Sequence, residues 1–296
     1  MNGNIFTGIF PALFTAFNED GSINENAIEA LIEMNLKRGV KGFYVCGSSG
    51  ETFLMTVEER MLALRLCSEI VGGRATMIAQ VGDTSEDKAL RLASYARLCG
   101  YDAVSAVTPF YYKFSFNSII NYYRDIAVES GLPLFVYHIP ALTGISFTLD
   151  QVLELMEPDY VAGIKYTCHD LYTLERVRFA YPKKTTMLGV DEMLLSGLAL
   201  GADGAIGTTY NFMPEKAVGI ADALDYGNLA EARRLQSEIN TVISCLFKVG
   251  LIEGSKALLR MMGLDAGYCR RPFGQISEEG LNLLREAALP LLVPVR

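Results

Sequence analysis

Short apolar runs alternate along the chain with longer stretches whose apolar positions recur every three or four residues. The runs are too brief for helices and read as buried strands; the longer stretches read as amphipathic helices. Strands are predicted over residues 9–17, 42–46, 75–81, 102–108, 133–139, 161–167, 185–190 and 204–208. Helices are predicted over 24–38, from Thr56 onward, and over 84–98, 117–129, 148–156, 171–180, 193–200 and 214–224. Thr56-Val57-Glu58-Glu59 has the form of a capping box, with Thr56 as cap and Glu59 reaching back. Thr84 and Asp87 are expected to begin the helix that follows the third strand, and Pro140 closes the fifth strand. Beyond residue 224 the pattern is helical throughout, over 229–249, 253–262 and 277–289, punctuated by Gly250, Gly263 and Pro272.

Successive strand–helix alternations of this kind argue for a parallel sheet. Eight of them, at about 30 residues each, match a closed (β/α)8 barrel. The expected fold is therefore an α/β TIM barrel over residues 1–224, with residues 225–296 as a C-terminal helical extension packed on it. A doubly wound open sheet is the alternative. It would more often carry a glycine-rich phosphate turn after its first strand. Here the first strand leads into Asn18-Glu19-Asp20-Gly21, a plain acidic turn.

Composition narrows the function. Half of the 296 residues are hydrophobic, enough for one large domain or two small ones. The net charge is −8 and no basic run occurs, so nucleic acid is not an expected partner. An anionic substrate would need local donors, since the overall field repels it. The six cysteines are scattered through apolar segments without CxxC spacing, which suits reduced thiols and a cytoplasmic setting. With His138 and His169 as the only histidines, a histidine-based metal site is not expected. Residues 1–14 lack the basic start of a signal peptide, and no apolar stretch reaches the ~18 residues of a membrane span.

The sharpest chemical signal lies in the sixth strand. Val161, Ala162 and Ile164 are small or β-branched, and Lys165 stands near the end of their run. Lysine is rarely buried unless it is paired or working. Apolar surroundings depress its pKa, by up to ~3–5 units when burial is complete. The free amine that results can attack a carbonyl and form a Schiff base. The structural alternative is a lysine that snorkels to water at the strand end.

A barrel places its active site at the C-terminal ends of its strands. Ser48 and Ser49 follow the second strand, Tyr111 the fourth, and Tyr137 lies on the fifth. Lys165 and Thr167 close the sixth, Asp191 and Glu192 follow the seventh, and Thr208 ends the eighth. Each has an ordinary explanation of its own. Ser48-Ser49 fits a turn, Tyr137 fits core, Asp191 fits a helix N-cap, and Thr208 fits a bond to its own backbone. Their convergence on one face around a lone strand lysine favours a site. Gly47-Ser48-Ser49-Gly50 offers hydroxyls and backbone N–H groups that suit a carboxylate. Lys165 would attack the ketone beside it, Tyr137 would move protons, and Asp191, Glu192 and Thr208 would hold hydroxyls on a polar tail. That describes a metal-free class I aldolase acting on a 2-keto acid. A 2-keto acid sensor that kept the pocket is the non-enzymatic alternative, and the intact Lys165, Tyr137 and Ser48-Ser49 set argues against it.

Three motifs resemble those of one family. Gly47-Ser48-Ser49-Gly50-Glu51, Tyr137-His138-Ile139-Pro140 and Gly163-Ile164-Lys165 look like signatures of the dihydrodipicolinate synthase / N-acetylneuraminate lyase family, and the likeness spans essentially the whole chain. The resemblance implies a (β/α)8 barrel with a C-terminal helical part, a lysine Schiff base with pyruvate, no added cofactor, and a homotetramer. Three details are similar to the lyase branch. Ala141-Leu142-Thr143-Gly144 follows Pro140, where the synthase branch typically carries an arginine for a second carboxylate. Gly189-Val190-Asp191-Glu192 and Gly207-Thr208-Thr209-Tyr210-Asn211 resemble the lyases' sugar-binding segments. By that resemblance Ser48 and Ser49 bind the carboxylate, Tyr137 handles protons and Lys165 forms the imine. Thr167, Gly189, Asp191, Glu192 and Thr208 contact the sugar, and Tyr111 reaches a neighbouring subunit's site. Ser49, His138, Val190 and Thr208 depart from the usual residues, and hydroxyls are kept at 49 and 208. The expected reaction is cleavage of N-acetylneuraminate to N-acetylmannosamine and pyruvate. Dihydrodipicolinate synthesis, or a pyruvate aldolase using another aldehyde, is the alternative.

Overall fold

The computed structural model describes residues 4–295. Eight parallel strands follow one another around a barrel: β1 Gly8–Pro11, β2 Gly42–Val45, β3 Thr76–Gln80, β4 Ala103–Val107, β5 Leu134–His138, β6 Val161–Tyr166, β7 Thr185–Leu188 and β8 Gly204–Gly207. Neighbours in sequence pair in order from β2 to β8, and β1 pairs with β8. The remaining seam, between β1 and β2, closes through a single parallel bridge from Ala12 to Tyr44, where the Leu13 N–H donates to the Tyr44 carbonyl at 2.9 Å. The fold is the expected barrel, with helices between the strands and further helices at the C-terminal end.

Two apolar layers result. Phe10, Tyr44, Phe135, Tyr137, Met187 and Ile206 fill the barrel interior. Val136, Ile164 and Leu188 point outward into the layer between strands and helices. This is the period-two alternation of a strand, shared between two buried faces. The bulk inside is aromatic and needs room: a Cβ on Gly163 would lie 2.6 Å from the Phe135 ring. Glycine at 163 thus lets that ring fill the barrel two residues below Lys165. The register of β5 on β6 sets Tyr137 beside Lys165.

Some boundaries differ from expectation for physical reasons. The first strand stops at Pro11 instead of running to 17. Leu13 turns to Tyr44 and the Phe14 N–H to the Asn211 side chain, so the rest of that apolar run is buried but leaves the ladder. The helix after β3 is Glu86–Leu98, and its entry is tied by the Asp83 carboxylate, which accepts from the Ser85 N–H, and not by Thr84. A short helix, Pro140–Thr143, adds an element that the sequence pattern does not predict. The last helix ends at Leu283 and widens into a π turn over Leu284–Ala288. The Thr56 capping box forms as predicted. No helix among the described residues is long and apolar enough to cross a membrane.

The C-terminal helices brace the barrel mouth. On the helix Leu229–Val249, Gln236 donates to the Asp191 carbonyl at 3.1 Å and Asn240 to the Glu192 carbonyl at 3.2 Å. On the helix Leu251–Met261, Lys256 reaches the loop after β2.

Candidate active site

A cavity of about 450 Å³ opens at the C-terminal ends of the strands. Ser48, Ser49, Tyr137, Lys165, Thr167, Gly189, Asp191, Glu192 and Thr208 all line it. Among the described residues around it, Lys165 is the only lysine or arginine.

Lys165 is 3 % exposed. Its Nζ sits 4.0 Å from the ring centre of Tyr44 and 4.2 Å from that of Tyr137. Among the described residues Nζ has no hydrogen-bond partner. Burial lowers its pKa to about 7, against an opposing pull from the Asp191 charge. Near neutral pH a large share of this amine is therefore free.

The serine loop is a tight turn, Ser48–Gly50, with Cys46 (φ 59°) and Glu51 (φ 57°) in the left-handed region on either side. Such backbone is costly for residues with a Cβ and persists only where neighbours enforce it. The enforcement is visible at Glu51. Its carboxylate accepts from Lys256 Nζ at 2.7 Å and from the Arg270 N–H at 2.7 Å. Ser48 Oγ lies 3.4 Å from the Tyr137 hydroxyl, and Ser49 Oγ lies 2.7 Å from Thr208 Oγ1. Burial pushes the Tyr137 phenol up to about 12, so it holds its proton at neutral pH.

Asp191 is buried, and one carboxylate oxygen accepts from the Thr209 N–H (2.8 Å) and the Thr209 hydroxyl (2.7 Å). Burial raises its pKa to about 6. It does not cap the following helix, whose first residues lack a side-chain cap. Its other oxygen fits only because residue 207 is glycine; a Cβ there would lie 2.1 Å from Asp191 Oδ1. Gly189 does the same for Thr167, whose Oγ1 would be 1.9 Å from a Cβ at 189 and is buried without a partner. Glu192 lies 2.9 Å from the Nε2 of the exposed His169.

Tyr111 stands apart. It is 84 % exposed, has φ 77°, and its ring packs edge-on against Tyr112. The chain does not bring it into its own cavity. Sequence reasoning missed Tyr44, Lys256, Gln236 and His169. Tyr44 lies in an apolar strand and carries no polar signal, and Lys256 lies in an amphipathic helix, where a cation is ordinary.

The chain belongs to the Dihydrodipicolinate synthetase family, whose profile matches residues 5–289. Within it, the chain is 47 % identical to the N-acetylneuraminate lyase of Rhizobium meliloti (strain 1021), over 96 % of this chain and 95 % of that protein. Among solved structures it superposes on CdNal from Clostridium difficile in complex with mannosamine with a TM-score of 0.94, at 38 % identity, covering 97 % and 99 % of the two chains. It also superposes on the N-acetylneuraminate lyase from Fusobacterium nucleatum complexed with pyruvate, with a TM-score of 0.90, at 40 % identity over 95 % and 96 %.

Proposed function

We propose that the protein is a carbon–carbon lyase that cleaves N-acetylneuraminate to N-acetylmannosamine and pyruvate through a Schiff base on Lys165. The reading rests first on Lys165, a buried amine with a pKa of about 7, facing a cavity lined by hydroxyls and carboxylates. The names of the relatives support the same substrate.

The geometry supports the following chemistry. Ser48, Ser49 and the backbone of their turn receive the substrate carboxylate. The Lys165 amine adds to the adjacent ketone, forming the C–N bond. The former carbonyl oxygen takes one proton from the added amine and a second from the Tyr137 phenol and leaves as water, and an iminium and a phenolate remain. The nearby cation stabilises that phenolate. The phenolate then takes the proton of the C4 hydroxyl as the C3–C4 bond breaks. The bond's electron pair flows into the iminium, giving an enamine and the free aldehyde. Tyr137 returns its proton to C3, and water hydrolyses the imine to release pyruvate and the amine. No added cofactor takes part in these steps. Thr167, Gly189, Asp191, Glu192 and Thr208 hold the polyol tail.

The dihydrodipicolinate synthase alternative needs a cation for a second carboxylate. The lining beyond Pro140 offers Ala141 and Leu142 instead, and Asp191 and Glu192 line the same cavity. A carboxylate-bearing aldehyde is repelled there. In this reading the protein is a homotetramer, and Tyr111 serves a neighbouring copy's cavity; its exposure and left-handed backbone support that role. Assay of N-acetylneuraminate cleavage beside condensation of pyruvate with aspartate semialdehyde tests the choice. Cleavage alone is expected. Efficient condensation without cleavage overturns it.

A further inference from the structure

Lys165 carries a positive charge once its protonated imine forms, on a side chain that is almost wholly buried. Something must stabilise that charge without holding the amine protonated beforehand. A carboxylate against Nζ would do the first and spoil the second, since it favours the ammonium form strongly. The ionisable groups facing the amine are Asp191, Tyr137 and Tyr44. The Asp191 carboxylate is engaged by Thr209 and acts on Nζ only through space. On β7 the neighbour in register is Met187, which is apolar. What lies against Nζ is the face of Tyr44, closer than that of Tyr137.

We propose that Tyr44 is a catalytic residue of this site, its fixed ring face stabilising the iminium on Lys165. An aromatic face attracts any cation, ammonium included, but far more weakly than a carboxylate does, so it stabilises the iminium while favouring the protonated amine only a little.

The ring is held from several directions. Its hydroxyl donates to Ser105 Oγ on β4 at 3.0 Å, and Ser105 Oγ in turn donates to the Phe135 carbonyl on β5 at 3.0 Å. Its backbone carbonyl accepts the Leu13 N–H across the barrel seam. Its edge packs against Gly47, where a Cβ would come within 2.8 Å of the ring. Its plane stands at 81° to Tyr137, with ring centres 5.8 Å apart. The residue is completely buried. A tyrosine kept only for bulk would not need its hydroxyl tied across the barrel interior; these contacts aim one face at Nζ. Through Gly47 the same ring also seats the start of the serine turn.

The inference rests on the Schiff-base reading, and its test separates the two. The wild type, Tyr44→Phe, Tyr44→Leu and a series with progressively fluorinated phenylalanine at 44 are titrated with pyruvate. The imine is trapped with borohydride and the adduct mapped by mass spectrometry. Fluorine drains the ring's negative face while nearly preserving its shape, so packing alone predicts no trend. Titration about two pH units above the amine's pKa puts the whole loss on the iminium, because the starting amine is then neutral. Tyr44→Phe keeps the ring face and loses only its tie to Ser105, so its pyruvate requirement should rise less than that of Tyr44→Leu. Tyr44→Leu should need about five- to thirtyfold more pyruvate, and each added fluorine should raise the requirement further. The fluorinated series decides the matter if Tyr44→Leu does not fold. Equal trapping across that series overturns the role of Tyr44 and leaves the Schiff base standing. No adduct on wild-type Lys165 overturns both.

Discussion

Lys165 and Lys256 are the same residue, buried to nearly the same degree, at 3 % and 2 % exposure. Their surroundings are opposite. Lys256 Nζ donates to the Glu51 carboxylate at 2.7 Å, the Thr15 carbonyl at 2.9 Å and the Tyr268 carbonyl at 2.7 Å. Its three donors meet three acceptors, a complete set for an ammonium group. Lys165 has two ring faces and an open cavity. Burial alone therefore does not make a reactive amine. Reactivity needs burial without acceptors, beside space for a carbonyl. The satisfied lysine plays a structural part. It ties the C-terminal helix Leu251–Met261 to Glu51 and so holds the serine turn in its left-handed frame.

One substitution at both positions breaks the symmetry. Lys165→Met should abolish turnover and pyruvate adduct formation while leaving thermal stability equal or higher, because it removes an unpaired buried amine. A Lys165→Met protein that still turns over substrate would remove the lysine from the chemistry. Tyr137→Phe sharpens the contrast from the other side of the amine. It keeps the ring beside Nζ and removes only the proton carrier, so the rate should fall about 10²–10⁴-fold. An unchanged rate would make Tyr137 packing only. Lys256→Met should act on the fold. It strands the Glu51 carboxylate in the interior, at a cost of about 3–5 kcal/mol, read as a lowered unfolding midpoint. An unchanged midpoint would show that the pair does not clamp the extension. The smallest effect is expected at Asp191. Asp191→Ala should reduce specificity for polyhydroxylated substrates about ten- to a hundredfold, through loss of a charged hydrogen bond of roughly 1.5–3 kcal/mol, and spare pyruvate capture. Equal losses in both would mark Asp191 as structural, through its bonds to Thr209.

The same contrast shows what a sequence discloses. The barrel is legible because apolar runs and helical periods alternate on a fixed repeat, and strand ends point to one face. Lys165 is legible because a charge inside an apolar strand is conspicuous. Lys256 is not, since a lysine within an amphipathic helix ordinarily faces water, and its partner Glu51 lies 205 positions away. Tyr44 is hidden for the converse reason. In Gly42-Phe43-Tyr44-Val45 an aromatic is what a core strand should contain, and only the folded chain shows what its face touches. The first strand reads too long because the hydrophobic run from Ala12 to Phe17 reports burial, while pairing ends at Pro11.

Lys165, buried without acceptors, presents a large share of free amine at neutral pH. Trapping with pyruvate and borohydride across a pH series, with each adduct mapped, tests this most directly. Its pKa is depressed, so the amine is protonated below about 7 and free above it. Trapping at Lys165 should rise with pH through about 7 and then level, with Lys256 unlabelled throughout. A first adduct on another lysine, or a rise at Lys165 only near the ordinary lysine value of about 10.4, would contradict the account.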